Sequence, residues 1–447
     1  MKKIDILKDN VLSVFLKYLI PGVLSSIAVS LYIFVDTMFV GIGVGRYGIA
    51  ALNIAIPLFT LFTSLSLCIG IGGSNILSIK KSSGNLKEGN KIFTNAVFFA
   101  VILGIIISIL GVIFVDEIGV FLGTTEEIKE LFRVYFSILV GFTWAFLISG
   151  VLGCFIRNDG NPRLVMIATI IANIVNIVFD YIFIFKFNWG MRGAVIATVM
   201  SPVVNILILS RHFTSKNNSL RICKTRIKPH ILFKMLSNGF GTFILEFCRG
   251  ISIFIFNNVL VVLGGNTYVA AYGIILNVSY VVICIFSGVS QSIQPIVSLN
   301  YGANLIDRAK KSFKYGVITS VSFGIIAYTT VYLFAKNISS IFTKGDMELV
   351  NITAHGMRFY FIGCIFMAFN IVTIYFFQSI NKSRQSTIVS FFTGVIFIIL
   401  GFIILVPKFK ILGVWLVFPF AECLGFTVWL IVIYLNVFRN KNKINLE

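Results

Sequence analysis

The sequence predicts an all-α polytopic membrane protein, with twelve transmembrane helices arranged as two pseudo-symmetric six-helix lobes. Three observations carry that prediction. The 447 residues are 57% hydrophobic and only 12% charged, with a mean hydropathy of +0.96, and a soluble domain of that size needs far more charge to cover its surface. Twelve mostly apolar runs reach the roughly 20 residues that a helix needs to cross a bilayer. Lys and Arg fall unevenly on alternate sides of those runs, as topology-setting charges do.

The first run begins in "MKKIDILKDNVLSVFLKYLIPGVLSSIAVS", whose basic start and apolar stretch resemble a signal peptide. The apolar stretch continues past the usual cleavage distance, so it is read as a retained span. The spans are expected near residues 12–44, 49–79, 91–115, 131–155, 163–186, 192–211, 233–263, 267–297, 313–335, 350–379, 385–406 and 411–438. One side holds the N-terminus, the loops near 80–91, 157–163, 211–234, 308–314 and 382–384, and the C-terminal tail, with 25 Lys and Arg in all. The other side holds nine: Arg46, Lys129, Arg133, Lys186, Arg192, Lys336, Lys344, Lys408 and Lys410. This bias supports an even number of spans and cytoplasmic N- and C-termini, in a plasma-membrane protein.

The longest basic loop, "RHFTSKNNSLRICKTRIKPH", divides the chain into an N-terminal lobe (1–212), a basic cytoplasmic linker (213–232) and a C-terminal lobe (233–447). The halves look related. "YGIAALNIAIPLF" at 47–59 and "YVAAYGIILNVSY" at 268–280 share an Ala-Ala step at an offset of 220, and "SSGNLKEGNKI" and "NYGANLIDRAKKS" occupy the same place after a span. Six spans is an even number, so the repeat is parallel, and duplicated halves with a site at their interface are a transporter architecture.

Several function classes are excluded. The net charge of +20 and pI of 9.7 would suggest nucleic acid in a soluble chain, but these basic residues lie between apolar runs, where orientation explains them. The seven cysteines, Cys68, Cys154, Cys223, Cys248, Cys284, Cys364 and Cys423, show no CxxC pairing and read as free packing thiols. His212, His230 and His355 lie at span ends or in loops, so no buried imidazole relay is expected. No phosphate-binding loop or HExxH pair occurs, which removes an ATP-driven pump and a zinc protease. The acidic cluster "DEIGVFLGTTEEIKE", Asp116 to Glu130, reads as a solvated outer loop.

Four carboxylates fall well inside spans: Asp36, Asp180, Glu246 and Glu422. A charge near the centre of a bilayer costs roughly 2.5 kcal/mol or more and usually marks an ion or substrate path. In "ANIVNIVFD", Asn173, Asn176 and Asp180 are spaced by three and four and share one helix face. The next span adds Thr198 and Ser201. Carboxylate, amide and hydroxyl oxygens suit a small hard cation, and a buried aspartate can carry a proton instead. Interhelical hydrogen bonding is the plainer reading for the asparagines. In the second half, Arg249 stands three residues after Glu246 and can pair with it, whereas Glu422 has no charged neighbour in sequence. Asn257, Asn258, Asn277, Gln291, Gln294, Asn370 and Gln378 add polar positions to second-half spans. The 46 Phe and 15 Tyr could also line a cavity that holds a flat cation.

Several long segments in order resemble the multidrug and toxic compound extrusion (MATE) family, its DinF-like and MepA-like bacterial branch in particular. They are "YIFVDTMFVGIGVGRYGIAALNIAIP", "RNDGNPRLVMIATIIANIVNIVFDYIFIF" with "WGMRGAVIATVMSP", "AAYGI" with "QSIQPIVSLNYGA", and "ILGVWLVFPFAE". The resemblance covers nearly the whole chain. It implies a MATE-type fold whose lobes alternate in access, and a non-enzymatic antiporter that exports amphipathic, mostly cationic drugs in exchange for H+ or Na+. It also implies no cofactor beyond that ion, a lipid bilayer around a monomer, and no nucleic-acid partner. In DinF-like members the cation site falls on positions occupied here by Asp36, Asn176, Asp180 and Thr198, with Tyr32 beside the first and Asn173 in support. Candidates for the substrate cavity and second lobe are Glu246, Arg249, Asn257, Gln291, Asn370 and Glu422. The NorM-like branch uses an acid in span ten, where this chain has Asn370, so a second-lobe Na+ site of that kind is not expected. The alternatives are a lipid-linked oligosaccharide flippase of the same superfamily and a membrane-embedded transferase, the latter lacking the His-Asp or Asp-rich motif it needs.

Overall fold

The computed structural model describes residues 5–215, 218–225, 228–343 and 346–433. The basic residues of the first four positions, Lys216, Arg226, Lys344 and the tail 434–447, with the expected end of the twelfth span, lie outside the described residues, as do the side chains of Arg46 and Asn266. Everything regular among the described residues is helical, because a chain in hydrocarbon must satisfy its backbone within each segment. The first half contains α1 (Val11–Gly43), α2 (Arg46–Ser82), α3 (Leu86–Ile113), α4 (Val115–Phe121), α5 (Glu126–Gly141), α6 (Thr143–Asn158), α7 (Pro162–Tyr181) and α8 (Gly190–Ser210). The second contains α9 (Pro229–Gly264), α10 (Asn266–Gly302), α11 (Ile306–Thr343), α12 (Met347–Tyr360), α13 (Gly363–Ser379), α14 (Ser383–Phe391) and α15 (Phe397–Ile433). Starts are marked by side chains that cap free N–H groups: Asn10 accepts from Leu12 N, Asn161 from Leu164 N and Asp346 from Leu349 N. The acidic segment read as an outer loop instead contains α4 and the first turn of α5, tied by an Arg133–Asp116 ion pair.

Among the described residues, nine helices are long and apolar enough to cross a membrane, and the bent pairs α5/α6 (47°) and α12/α13 (49°), each taken as one span, bring the number to eleven. The run from Ser383 to Ile433 has 51 residues, about 76 Å of helix at the usual rise and more than two bilayer cores. It reverses at Lys410, whose φ is 50°. Beyond that point Gly413 lies against Leu405 O and Val406 Cα, and Gly401 lies against Val417, so the run is a hairpin of two crossings. With that hairpin counted as two, the described residues hold up to twelve crossings, close to the expected number, with ends within a few residues of the sequence expectation except where helices extend past the membrane into polar turns. Large apolar side chains such as Ile20, Ile42, Ile113 and Phe254 point outward, as lipid-facing residues do.

The repeat is written into backbone geometry. Gly45 and Gly265, 220 residues apart, precede α2 and α10 with φ/ψ of 90/−167° and 71/−166°, a conformation that only glycine adopts without strain. The turns before α3 and α11 place Gly84 and Asn304 at positive φ, again 220 apart, and the two bends fall at the same offset. Packing follows suit: α1 lies on α7 as α9 lies on α14, and α2 on α6 as α10 on α13.

The lobes meet along a seam at the end that carries the N-terminus and the 211–230 segment. There α1 crosses α10 at Gly22 and Gly288, where a Cβ on Gly288 would sit 2.8 Å from Gly22 O. α2 crosses α9 at Gly72 and Gly239, and a Cβ on Gly239 would collide with the Cys68 carbonyl. Small residues let helix backbones approach this closely. Polar bonds reinforce the crossings: Ser292 Oγ to Tyr18 O (3.0 Å), Gln294 Nε2 to Asn75 Oδ1 (2.8 Å), Asn238 Nδ2 to Gly72 O (3.3 Å) and Arg308 Nη2 to Asp9 O (2.6 Å).

The segment after α8 is strapped to the first lobe. Asn90, Thr94 and Asn95 on α3 accept from the backbone N–H groups of Arg221, Cys223 and Lys228. Asp159, in the turn after α6, meets His212 Nε2 at 2.9 Å, Lys81 Nζ at 2.5 Å, and the backbone N–H and hydroxyl of Ser219. His212, at the end of a span as its sequence position suggests, is thus buried, at 1% exposure. Burial works against the Asp159 charge, but the His212 hydrogen bond, the Lys81 ammonium and Ser219 outweigh it and hold the pKa at about 2. Because that value is depressed below 3.8, the stabilisation is complete above pH ~4 and is lost as pH falls through about 2. Asp159→Asn is expected to cost about 2 kcal/mol of strap attachment at neutral pH and to speed tryptic cleavage within residues 211–225 at least ~10-fold. A cleavage time course on purified protein checks this, with an unchanged rate as the contrary result.

Candidate functional site

Asp36 sits on α1 two turns before its end, and α7 presents Asn173, Asn176 and Asp180 from the adjacent helix. The 3.6-residue period aims all four at the α1/α7 contact, and they are 7%, 6%, 0% and 0% exposed. The carboxyl groups of Asp36 and Asp180 lie within hydrogen-bonding reach of each other. Two ionised carboxylates are both acceptors, so their approach satisfies neither. Asp36 Oδ1, both Asp180 oxygens, both Asn176 side-chain atoms and Asn173 Nδ2 find no partner on the protein. Buried polar atoms left this way cost about 1–3 kcal/mol each, which makes the cluster a candidate binding site.

Thr198 on α8 closes the site. Its hydroxyl donates to Ala194 O at 3.0 Å, and Tyr135 of α5 lies beside it. Tyr135 is 6% exposed and close to Asp36, Asp180 and Tyr32, yet sequence reasoning missed it. Its only signal was a tyrosine in an amphipathic helix start. Tyr32 lies one turn before Asp36, near both aspartates and near Cys284 of α10. Directly after Asp180, residues 182–186 form a π-helical turn, a backbone irregularity that is frequent at functional sites. Oxygens of these kinds suit a small hard cation or one shared proton, either of which would offset two facing carboxylates.

The second-lobe candidates divide into two groups. Arg249 Nη1 bonds Glu246 Oε2 at 2.6 Å, so the sequence-local ion pair forms on α9. Asn370 on α13 donates to Glu422 on α15, 2.6 Å to Oε2 and 2.9 Å to its backbone oxygen, a partnership 52 residues apart that spacing did not reveal. Arg249 is near enough to Glu422 to act on it electrostatically. Tyr280 and Cys284 of α10 lie between Tyr32 of the first lobe and the Glu246–Arg249 pair. Asn257, half-buried on α9, takes part in none of these bonds.

Gln291 belongs to the seam. Arg157, counted from sequence as a loop charge, is 8% exposed on the last turn of α6 and bonds Gln291 Oε1 across the lobes at 2.6 Å. Tyr375 lies close to Gln291, and a cavity of about 130 Å³ beside Arg157 and Gln291 is lined by Ser149, Thr169 and Asn205. Among the described residues, all seven cysteines are free and no three His, Cys, Asp or Glu side chains converge as a metal cluster.

The MatE family model matches residues 21–182 and 240–403. The Multidrug export protein MepA of Staphylococcus saprophyticus is 22% identical over 394 residues, covering 88% of this chain and 86% of its own. That of Staphylococcus aureus strain MSSA476 is 21% identical over 430 residues, covering 96% and 94%. Among solved structures, the outward-facing conformation of a multidrug resistance MATE family transporter of the MOP superfamily superposes with a TM-score of 0.93 at 20% identity, covering 99% of this chain and 100% of the other. A MOP superfamily transporter from Pyrococcus furiosus superposes at 0.90 and 20% identity, covering 97% and 98%. These likenesses establish the fold.

Tyr135→Phe removes the hydroxyl that lies beside Thr198 and the two aspartates. If the cluster holds a small cation, the change is expected to weaken its binding by the purified protein about fivefold, the worth of one net hydrogen bond of ~1 kcal/mol. Equilibrium titrations with sodium and with pH check this, and unchanged affinity in both would remove Tyr135 from the site.

Proposed function

The chain belongs to the MatE family of transporters, and from that premise we propose that it is a secondary antiporter exporting amphipathic, mostly cationic organic compounds in exchange for H+ or Na+. The observation that carries this reading is the pair of neighbouring buried carboxylates, Asp36 and Asp180, of which Asp36 Oδ1 and both Asp180 oxygens have no partner. Asn176 and Thr198 supply further oxygens, Tyr32 and Asn173 flank them, and the coupling ion is the only added group the mechanism uses. Relatives named as multidrug export proteins support a small-molecule cargo, and the acidic character of the site favours cations over lipid-linked sugars.

Antiport requires that drug and ion favour opposite states of one equilibrium. The two states are rocking positions of a first lobe (1–212) and a second (233–447), with the 213–232 linker between them. The glycine seam closes the basic end, which the charge bias assigns to the cytoplasm with both termini. The cleft therefore opens outward, and the partly exposed Glu246–Arg249 pair, with Tyr280, lies along it. Cation entry at Asp36 and Asp180 relieves their repulsion and shifts the lobes, which expels the bound compound. One chain holds both lobes and the site, so a monomer in the plasma membrane is the working unit.

Asp36→Asn is expected to cut efflux of a fluorescent organic cation from cells at least ~10-fold while membrane levels of the protein stay unchanged. Undiminished efflux at equal protein level would overturn the ion-site assignment.

A further inference from the structure

Arg157 is a buried cation with too few acceptors. It is 8% exposed on the last turn of α6, and its guanidinium has N–H groups on three nitrogens. Among the described residues it donates one hydrogen bond, from Nη1 to Gln291 Oε1 at 2.6 Å, and no carboxylate pairs with it. Asp159, two residues on, is already held by Lys81 at 2.5 Å and His212 at 2.9 Å. The C-terminal end of α6 offsets at most about half a charge. A buried charge left in this state is costly until a counter-charge joins it.

The cavity of about 130 Å³ lies against this charge. Ser149 of α6 and Thr169 of α7 bring hydroxyls to its wall, and Asn205 of α8 brings an amide. Among the described residues none of these three side chains enters a hydrogen bond, and Asn205 Oδ1 is buried without a partner. That amide gains nothing from its present orientation and can turn its NH2 to a ligand. The Gln291 oxygen is engaged by Arg157, which leaves its NH2 as a donor. Gly153 also lines the space, and a Cβ built there meets only Val165, at 3.8 Å. A single guanidinium among hydroxyl and amide donors attracts an anion and repels a cation. The volume is well below the ~300 Å³ at which pockets for organic ligands begin, and above the ~30 Å³ of one water.

We propose that Arg157, Gln291, Ser149 and Thr169 hold a small inorganic monovalent anion such as chloride at the seam between the lobes. One arginine sets one negative charge. Gln291 belongs to the second lobe, so parting the seam takes away part of the site, and a bound anion favours the closed seam. None of this depends on which ion Asp36 and Asp180 hold.

Chloride NMR linewidths of the full chain in lipid nanodiscs test this, with bromide as competitor and gluconate keeping ionic strength constant. The expected result is a saturable broadening that bromide removes and that Arg157→Gln abolishes. Thr169→Val, which nearly preserves shape, is expected to weaken the anion about fivefold, one net hydrogen bond, and covers the case in which Arg157→Gln does not fold. Gly153→Leu, which fills the cavity and leaves every donor in place, is expected to abolish the broadening as well. A second readout is native. Cys68 is 3% exposed at the α2/α9 crossing, with Sγ 3.5 Å from Leu236 O, and its labelling by a maleimide is expected to slow as chloride replaces gluconate. Broadening that does not saturate, or that survives Arg157→Gln or Gly153→Leu, would mean anions held only by surface basic residues and would overturn the site. So would unaltered affinity in Thr169→Val, and Cys68 labelling that ignores chloride would overturn its place at the seam.

Discussion

Two carboxylates that face each other inside a membrane are the constraint around which the first lobe is organised. Asp36 and Asp180 come from helices more than a hundred residues apart, and neither Asp180 oxygen is served by a donor. Packing alone would have replaced them with Leu or Ala, since an unpaired charge at that depth is costly. Their retention makes sense if a positive charge arrives and leaves during a cycle. The neighbouring oxygens of Asn176 and Thr198, and the π-helical turn after Asp180, fit that purpose better than they fit a static core.

The duplicated scaffold explains how such a site can be read out over a distance. Glycines at Gly22/Gly288 and Gly72/Gly239 let two pairs of helices cross in near backbone contact, so the lobes touch over stiff surfaces and not over flexible loops. Such surfaces are closed or parted, with little between, which is what a two-state transporter needs. The repeat does not copy the chemistry, however. At the offset of 220 that relates the halves, Asp36 corresponds to Phe256, a buried ring stacked on Tyr272, and Asn370 corresponds to Gly150. Asp36 and Asn370 thus have no polar counterpart in the other half.

Much of this was legible in the sequence. Apolar runs fix spans because hydrocarbon tolerates only internally bonded backbone, so helix positions agreed to within a few residues. Asn173, Asn176 and Asp180 were readable as one face because helical period is local. Partnerships between distant spans were not readable: Asn370 with Glu422, Tyr135 with Thr198 and Arg157 with Gln291 join helices that no spacing rule connects. The two bends also escaped, since their causes are tertiary, and so did the burial of His212, which depends on Asp159 from another turn; the break near Lys410 was readable as the gap between the last two apolar runs.

The central claim is that the ion held by Asp36 and Asp180 opposes the binding of an exported cation. Thermodynamic linkage makes that claim measurable without a transport assay. The direct test is the affinity of purified protein for a lipophilic organic cation, measured across sodium concentration at fixed pH and across pH without sodium. The account predicts that affinity falls as one of the two ions rises, and that the dependence flattens in Asp180→Asn. An affinity independent of both ions, or one that keeps its full dependence in that variant, would contradict it.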